Sequence, residues 1–164
     1  VTEDEFLALI KENKGIILKL VNLYARDTEE KKDLYQEIMY QGWKNAPAYR
    51  GEAKFGTWLY RLCLNTILTQ KRRKQPVEYK HNLENIAPAV AISAMDENAQ
   101  QLYVAIKHLG ETEKAIITMH LDGYSNDEIS EVMGISYGNV TVKISRIKNN
   151  LKQFIKTEQD GTNR

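Results

Sequence analysis

The stretch from Ser125 to Lys152 constrains this chain more than any other. Ser125 and Glu128 stand at the spacing of a capping box, in which each side chain satisfies a backbone N–H at a helix start. Ile129, Val132 and Met133 then mark one apolar helical face. Gly134 stands where a residue without Cβ ends a helix cheaply. Ser136 opens a second helix, in which Val140, Ile144, Ile147 and Leu151 recur at steps of four, three and four. That helix carries Lys143, Arg146, Lys148, Lys152 and Lys156 with no acid among them. A short helix, a tight turn and a basic second helix are a shape that the DNA major groove admits. Two packed helices with a solvated basic face would read the same way, so at this level both readings stand.

The chain has 164 residues, enough for one domain or two small ones. Hydrophobic residues are 42% and charged residues 27%, a globular balance. With only three prolines and nine glycines, the periodicity predicts an all-α fold of two small helical domains joined by a linker. The second domain ends in the helix-turn-helix. No apolar run reaches the roughly 18 residues that a membrane span needs. The opening Val1-Thr2-Glu3-Asp4-Glu5 lacks the basic-then-apolar order of a secretory signal, so no direct membrane insertion is expected. Cys63 is the single cysteine and sits among Leu59, Leu62 and Leu64, which predicts a small core residue without a disulfide. These features favour a cytoplasmic location.

The formal net charge is only +1, but the charges are segregated. Residues 69–80 hold Lys71, Arg72, Arg73, Lys74 and Lys80 against Glu78. Residues 143–156 hold five basic residues and no acid. Residues 27–37 hold Asp27, Glu29, Glu30, Asp33 and Glu37 against Lys31 and Lys32. Two basic surfaces and an acidic one suit a protein that touches DNA on one side and another protein elsewhere. No catalytic constellation competes with this. His81, His108 and His120 are scattered without HExxH spacing, and one cysteine cannot build a cysteine-rich zinc site. No Gly-rich phosphate loop is present. An enzyme is not expected, and no metal or cofactor is assigned.

Along the first block, residues 1–75, Phe6, Leu9, Ile10, Ile17, Leu20, Val21 and Tyr24 recur at helical spacing, with a break expected at Gly15. A helix from near Thr28 has Leu34, Ile38 and Trp43 as apolar anchors. Asn45 to Lys54, with Pro47 and Gly51, reads as a loop. A helix from about Lys54 to Arg73 has an expected buried side of Phe55, Trp58, Leu59, Leu62, Cys63, Thr66 and Ile67. Gln75-Pro76 ends it. Residues 76–96 form the linker. The second block, residues 97–156, has one helix through Leu102, Ile106 and Leu109 and another through Ala115, Ile116 and Met119, followed by the helix-turn-helix. Residues 157–164 form a polar tail expected to fray.

Three motifs, in order along the chain, resemble those of bacterial RNA polymerase sigma factors of the extracytoplasmic-function group of the sigma-70 family. The first is Asp33-Leu34-Tyr35-Gln36-Glu37-Ile38-Met39, with Met39 in place of a usual phenylalanine. In the family this segment docks on the clamp helices of the polymerase large subunit. The resemblance implies core polymerase binding by Asp33, Leu34, Gln36, Glu37 and Tyr40. On the residues alone, Asp33, Gln36, Glu37 and Tyr40 fall on neighbouring turns of one helix beside Leu34 and Ile38. That strip suits either a basic partner or plain solvent.

The second motif runs from Phe55-Gly56-Thr57-Trp58-Leu59 through Arg61 and Asn65 to Lys71-Arg72-Arg73. It resembles the family's helix that reads the promoter −10 element and holds the melted non-template strand. The resemblance implies DNA contacts by Arg61, Asn65, Thr69, Lys71, Arg72 and Arg73, with Tyr49, Arg50 and Lys54 supplied by the preceding loop. Basic side chains meet phosphate, and an amide reads a base edge. Tyr49 is either a stacking platform for a flipped base or packing at the base of its own loop. The third motif is the helix-turn-helix, similar to the family's −35-reading domain. It implies contacts by Ser136, Tyr137, Asn139, Thr141, Val142, Lys143, Ser145, Arg146 and Lys148. Gly110-Glu111 and Asn139-Val140-Thr141-Val142 depart from the family pattern, so the resemblance carries over the fold and not the identity of the bases read.

The resemblance implies a non-catalytic promoter-specificity subunit. Its partners would be bacterial core RNA polymerase, promoter DNA as duplex and as melted non-template strand, and an anti-sigma factor. A stand-alone helix-turn-helix regulator, or a polymerase-binding decoy that has lost promoter recognition, is the alternative. The regulator leaves the first block unexplained, and the basic helix from Arg61 to Lys74 argues against the decoy.

Overall fold

The structure is a computed structural model that describes residues 1–74 and 96–162, and side chains to 161. The expected helix stop at Gln75-Pro76, nearly all of the linker, Glu78, Lys80 and His81 lie outside the described residues. The chain divides into two compact units.

The first unit holds α1 (Glu3–Glu12), α2 (Lys14–Tyr24), α3 (Thr28–Asn45), a short 3-10 turn (Ala46–Ala48) and α4 (Phe55–Arg73). Thr2 and Glu5 form a capping box at α1, with Thr2 N–H donating to Glu5 Oε2 at 2.8 Å. The expected break at Gly15 falls two residues earlier. Asn13 ends α1 by donating its backbone N–H to Leu9 and Ile10 carbonyls and its side-chain amide to Leu9 O at 2.8 Å. Gly15 lies inside the first turn of α2, so a side-chain cap rather than a flexible backbone makes the break. Asp27 caps α3 by accepting Glu30 N–H at 2.7 Å.

α4 packs against both α2 and α3. Its central position buries Leu59, Tyr60, Cys63, Leu64 and Ile67, a wider arc than the single face read from its spacing. Trp58 and Leu62 are half-buried. Phe6, Ile17, Leu20, Leu34 and Ile38 complete this core. Trp43 is not the buried anchor expected: it is 48% exposed and meets Phe6 in a T-shaped pair at a centroid distance of 6.1 Å.

The second unit holds α5 (Glu97–Lys107), α6 (Glu111–Leu121), α7 (Asn126–Met133) and α8 (Tyr137–Thr162). Asp96 caps α5 by accepting Ala99 N–H at 2.7 Å. Ile106, Ala115, Ile116, Ile117, Met119, Ile129, Val140, Ile144, Ile147 and Leu151 fill the core. Leu102 and Leu109 are half-buried. The tail expected to fray from Thr157 is instead helical as far as Thr162, because α8 continues along α5. There the His108 and Phe154 rings lie 4.7 Å apart, and Gln159 donates to Gln101 at 3.4 Å.

Candidate nucleic-acid interface

The helix, turn and helix of the second unit form as their residues dictate. Ser125 and Glu128 make both bonds of the capping box, at 3.0 and 3.2 Å. Gly134 ends α7 at φ 68° and ψ 31°, a left-handed conformation that glycine reaches at low cost. Ser130 holds the turn through a hydrogen bond from its hydroxyl to Ile135 O. Asn139 N–H then donates to Ser136 Oγ at 3.2 Å and starts α8.

Val140, Ile144, Ile147 and Leu151 are all buried, which orients the rest of α8. At 3.6 residues per turn, Val142, Ser145 and Arg146 lie opposite the buried stripe. Tyr137, Thr141 and Lys148 lie on one flank, and Asn139 and Lys143 on the other. All of these except half-buried Lys143 are exposed, as is Ser136. Thr141 is engaged within the protein, since Asn126 Nδ2 donates to its hydroxyl at 3.3 Å. On the same flank the charge of Lys148 adds to burial in lowering the pKa of His120.

In the first unit, α3 and α4 enclose a groove of about 360 Å³. Arg61, Asn65, Thr69 and Arg73 of α4 share it, with Trp58 beside them. Glu37, Gln41 and Asn45 of α3 form the facing wall. The sequence does not single out Gln41 or Asn45: Gln41 reads as a surface position of the helix from Thr28, and Asn45 as the start of the loop to Lys54, whereas the structure keeps Asn45 in α3. Arg50 and Lys54 are exposed in the loop before α4, and Arg72 is exposed near its end. Tyr49 packs at the base of its own loop. Its ring lies 5.3 Å from Phe55 and 5.5 Å from Trp58, and its hydroxyl donates to Ala53 O at 3.0 Å.

Lys71 departs from the expected DNA-facing set. Its ammonium lies 3.4 Å from Glu30 Oε1, with only 15% of its side chain exposed. Glu30 in turn departs from the expected acidic surface, with 7% of its side chain exposed. Its other oxygen accepts Arg26 N–H at 2.8 Å and Arg26 Nε at 3.1 Å. Burial raises the pKa of this carboxyl, but the Arg26 backbone bond and the Lys71 charge outweigh it and hold the group below its ordinary value.

Asp33, Gln36, Glu37 and Tyr40 come together around a second, shallow hollow, joined by Gln70 of α4 and by Lys74, which follows the last residue of that helix. Tyr40 is 60% exposed. Leu34 is not at this surface, since it is 1% exposed and supports the strip from beneath. Among the described residues, no group of three or more His, Cys, Asp or Glu side chains is placed to hold a metal ion. No described helix is long and apolar enough to cross a membrane.

Comparison with known proteins bears on both units. The family model for sigma-70 region 2 matches residues 9–77, and that for sigma-70 region 4 matches residues 99–151. Curated relatives include the ECF RNA polymerase sigma factor SigM of Mycobacterium tuberculosis, 24% identical over 159 residues, covering 96% of this chain and 81% of that one. The chain belongs to the extracytoplasmic-function group of the sigma-70 family. The RNA polymerase sigma-H factor of Pseudomonas aeruginosa is 27% identical to this sigma factor over 158 residues, covering 87% of this chain and 82% of that one. Among solved structures, CnrH in complex with the cytosolic domain of CnrY shares the fold at a TM-score of 0.69 and 16% identity. That match covers 95% of this chain and 90% of that one. RpoE in complex with the anti-sigma factor NepR, from Bartonella quintana, gives 0.67 and 18%, covering 94% and 96%. Sigma factors are promoter-specificity subunits of RNA polymerase and not enzymes.

Proposed function

We propose that this sigma factor binds bacterial core RNA polymerase through its first unit and reads two promoter elements, one with each unit. The docking surface is the strip of Asp33, Gln36, Glu37 and Tyr40. The −10 element and the melted non-template strand meet the α3–α4 groove, through Arg61, Asn65, Thr69 and Arg73, with Arg50, Lys54 and Arg72 at phosphates. The −35 element meets the exposed face of α8. Residues 1–75 form the first domain, 76–96 the linker and 97–156 the second domain. The protein acts in the cytoplasm, and an anti-sigma factor binds it there.

The observation that supports this reading most directly is the face of α8 opposite its buried stripe. It follows a left-handed glycine turn and carries Arg146 with Val142 and Ser145, a composition suited to base edges and phosphate. Each site alone would hold DNA weakly, and tethering them on one polymerase raises the effective affinity.

The test is capture of core polymerase by the purified protein, followed by transcription from a genomic-fragment library. Binding with new, position-specific start sites is expected. Glu37→Ala should weaken capture, whereas Arg61→Ala and Lys143→Ala should weaken promoter use without weakening capture. Tight binding to duplex fragments without core binding would instead identify a stand-alone regulator. Core binding without start sites would identify a decoy.

A further inference from the structure

Gly138, Val142 and Arg146 stand four residues apart on α8 and so form one ridge along the helix. All three are exposed, on the side away from buried Val140, Ile144 and Ile147. Beyond its chain neighbours and the backbone of its own helix, a Cβ added at Gly138 would have no atom within 4 Å. The ridge is therefore bare just before Val142, and a glycine there lets the helix surface come close to a neighbouring molecule. Val142 itself is 47% exposed. Single exposed apolar side chains are common on proteins, and it is the position of this one that carries meaning. It lies in the middle of the ridge that the proposed reading puts into the major groove. The hydroxyl of the residue before it is already engaged: Thr141 accepts from Asn126 Nδ2 at 3.3 Å and donates to Tyr137 O at 3.1 Å.

We propose that Val142 is a specificity-determining residue that selects thymine at one position of the −35 element, through contact with the C5-methyl group. The inference rests on the proposed reading of α8 as the helix that meets the −35 element. The valine side chain neither donates nor accepts a hydrogen bond, so it gains nothing from a phosphate. A polar base edge pressed against it would lose water without a hydrogen bond in return. Among the groups that base pairs display in the major groove, the thymine methyl is the apolar one. Gly138 acts as a positioning residue, because its missing side chain lets the ridge sit deep enough for that contact.

The test uses the holoenzyme, made from full-length protein and bacterial core polymerase. Promoter complexes selected from a library randomised across the −35 element give the preferred sequence. Each thymine in it, on either strand, is then replaced singly by deoxyuridine, which pairs as thymine does and lacks only the methyl group. At one position the replacement is expected to weaken wild-type complexes by about threefold to fourfold, the value of one buried methyl. Val142→Ala should hold the thymine and uracil promoters equally at that position. A general disturbance of α8 would weaken both alike and leave their ratio unchanged, so a ratio that persists in Val142→Ala would overturn the assignment. Equal binding of thymine and uracil by wild-type protein at every position would overturn it too, as would a preferred sequence without thymine. Val142 is at the surface, and circular dichroism checks that the variant is folded. Absence of any selected −35 sequence with wild-type protein would overturn the −35 reading itself, and the thymine contact with it.

Discussion

Lys71 and Glu30 carry the most informative departure at the scale of single residues. In the sequence, Glu30 is one acid in a run and Lys71 one base in a run, and neither differs from its neighbours. Their difference is tertiary. The last turn of α4 arrives beside the first turn of α3 across 41 residues of chain, and the two charges meet where water is nearly excluded. Local spacing holds no trace of that meeting. Removing one partner of such a pair leaves a poorly solvated charge. Lys71→Met is therefore expected to lower stability by about 2 kcal/mol, with Arg26 retaining part of the compensation, as measured by urea denaturation. Acid should act on the same group. The Glu30 carboxyl is held below its ordinary 4.5, so its contribution is complete above the unfolded value and disappears as pH falls through the lowered folded value. Glu30→Gln should flatten the decline of stability with acidification below about pH 4.5. Cys63, by contrast, behaves as its leucine neighbours suggest. It is fully buried, and burial pushes its thiol up to about 12. Alkylation by iodoacetamide should be negligible in the native protein and rapid after unfolding.

Among the elements, helix ends were more legible than helix faces. The Ser125–Glu128 box and the Gly134 stop are chemical statements made by residues a few positions apart, and the structure contains both. Gly134→Ala is expected to cost about 1 kcal/mol, because a side chain strains a backbone held at positive φ. Thermal denaturation of the full chain would register it as a lowered transition for the second unit. Propensity puts the break between α1 and α2 at Gly15, because glycine is the stronger breaker. Asn13 made it instead, through a side-chain bond whose use depends on context. α4 shows why faces are harder. A helix between two others buries more than one stripe, so Tyr60 and Leu64 are core even though a single amphipathic face leaves them out. Trp43 fails in the opposite sense, since an aromatic at core spacing is half outside. The groove between α3 and α4 was half legible, because Arg61 and Asn65 stand in a recognisable motif. Gln41 and Asn45 acquire meaning only once α4 faces them.

For the molecule as a whole, the net charge of +1 conceals the arrangement that matters. The acidic strip is narrower than the sequence count implies, because Asp27 caps a helix and Glu30 is buried, leaving Glu29, Asp33 and Glu37. The basic surfaces are correspondingly the larger electrostatic feature, and binding through them should respond to salt. Arg146→Ala is expected to weaken promoter complexes and to reduce the slope of log affinity against log salt by about one, whatever the promoter sequence, if its contact is to phosphate. A loss confined to one base position would assign it to base reading instead. The two helical units were legible from periodicity, but the length of α8 was not, because polar residues past Lys156 hide the seam it makes with α5. That length makes α8 a splint. It runs for 26 residues, about 39 Å, as one continuous helix. Its first turns are pinned by buried Val140 and Ile144, and its last turns rest on α5 through Phe154, His108 and the Gln159–Gln101 bond. A stiff helix held at both ends ties the position of the turn after Gly134 to the seam with α5.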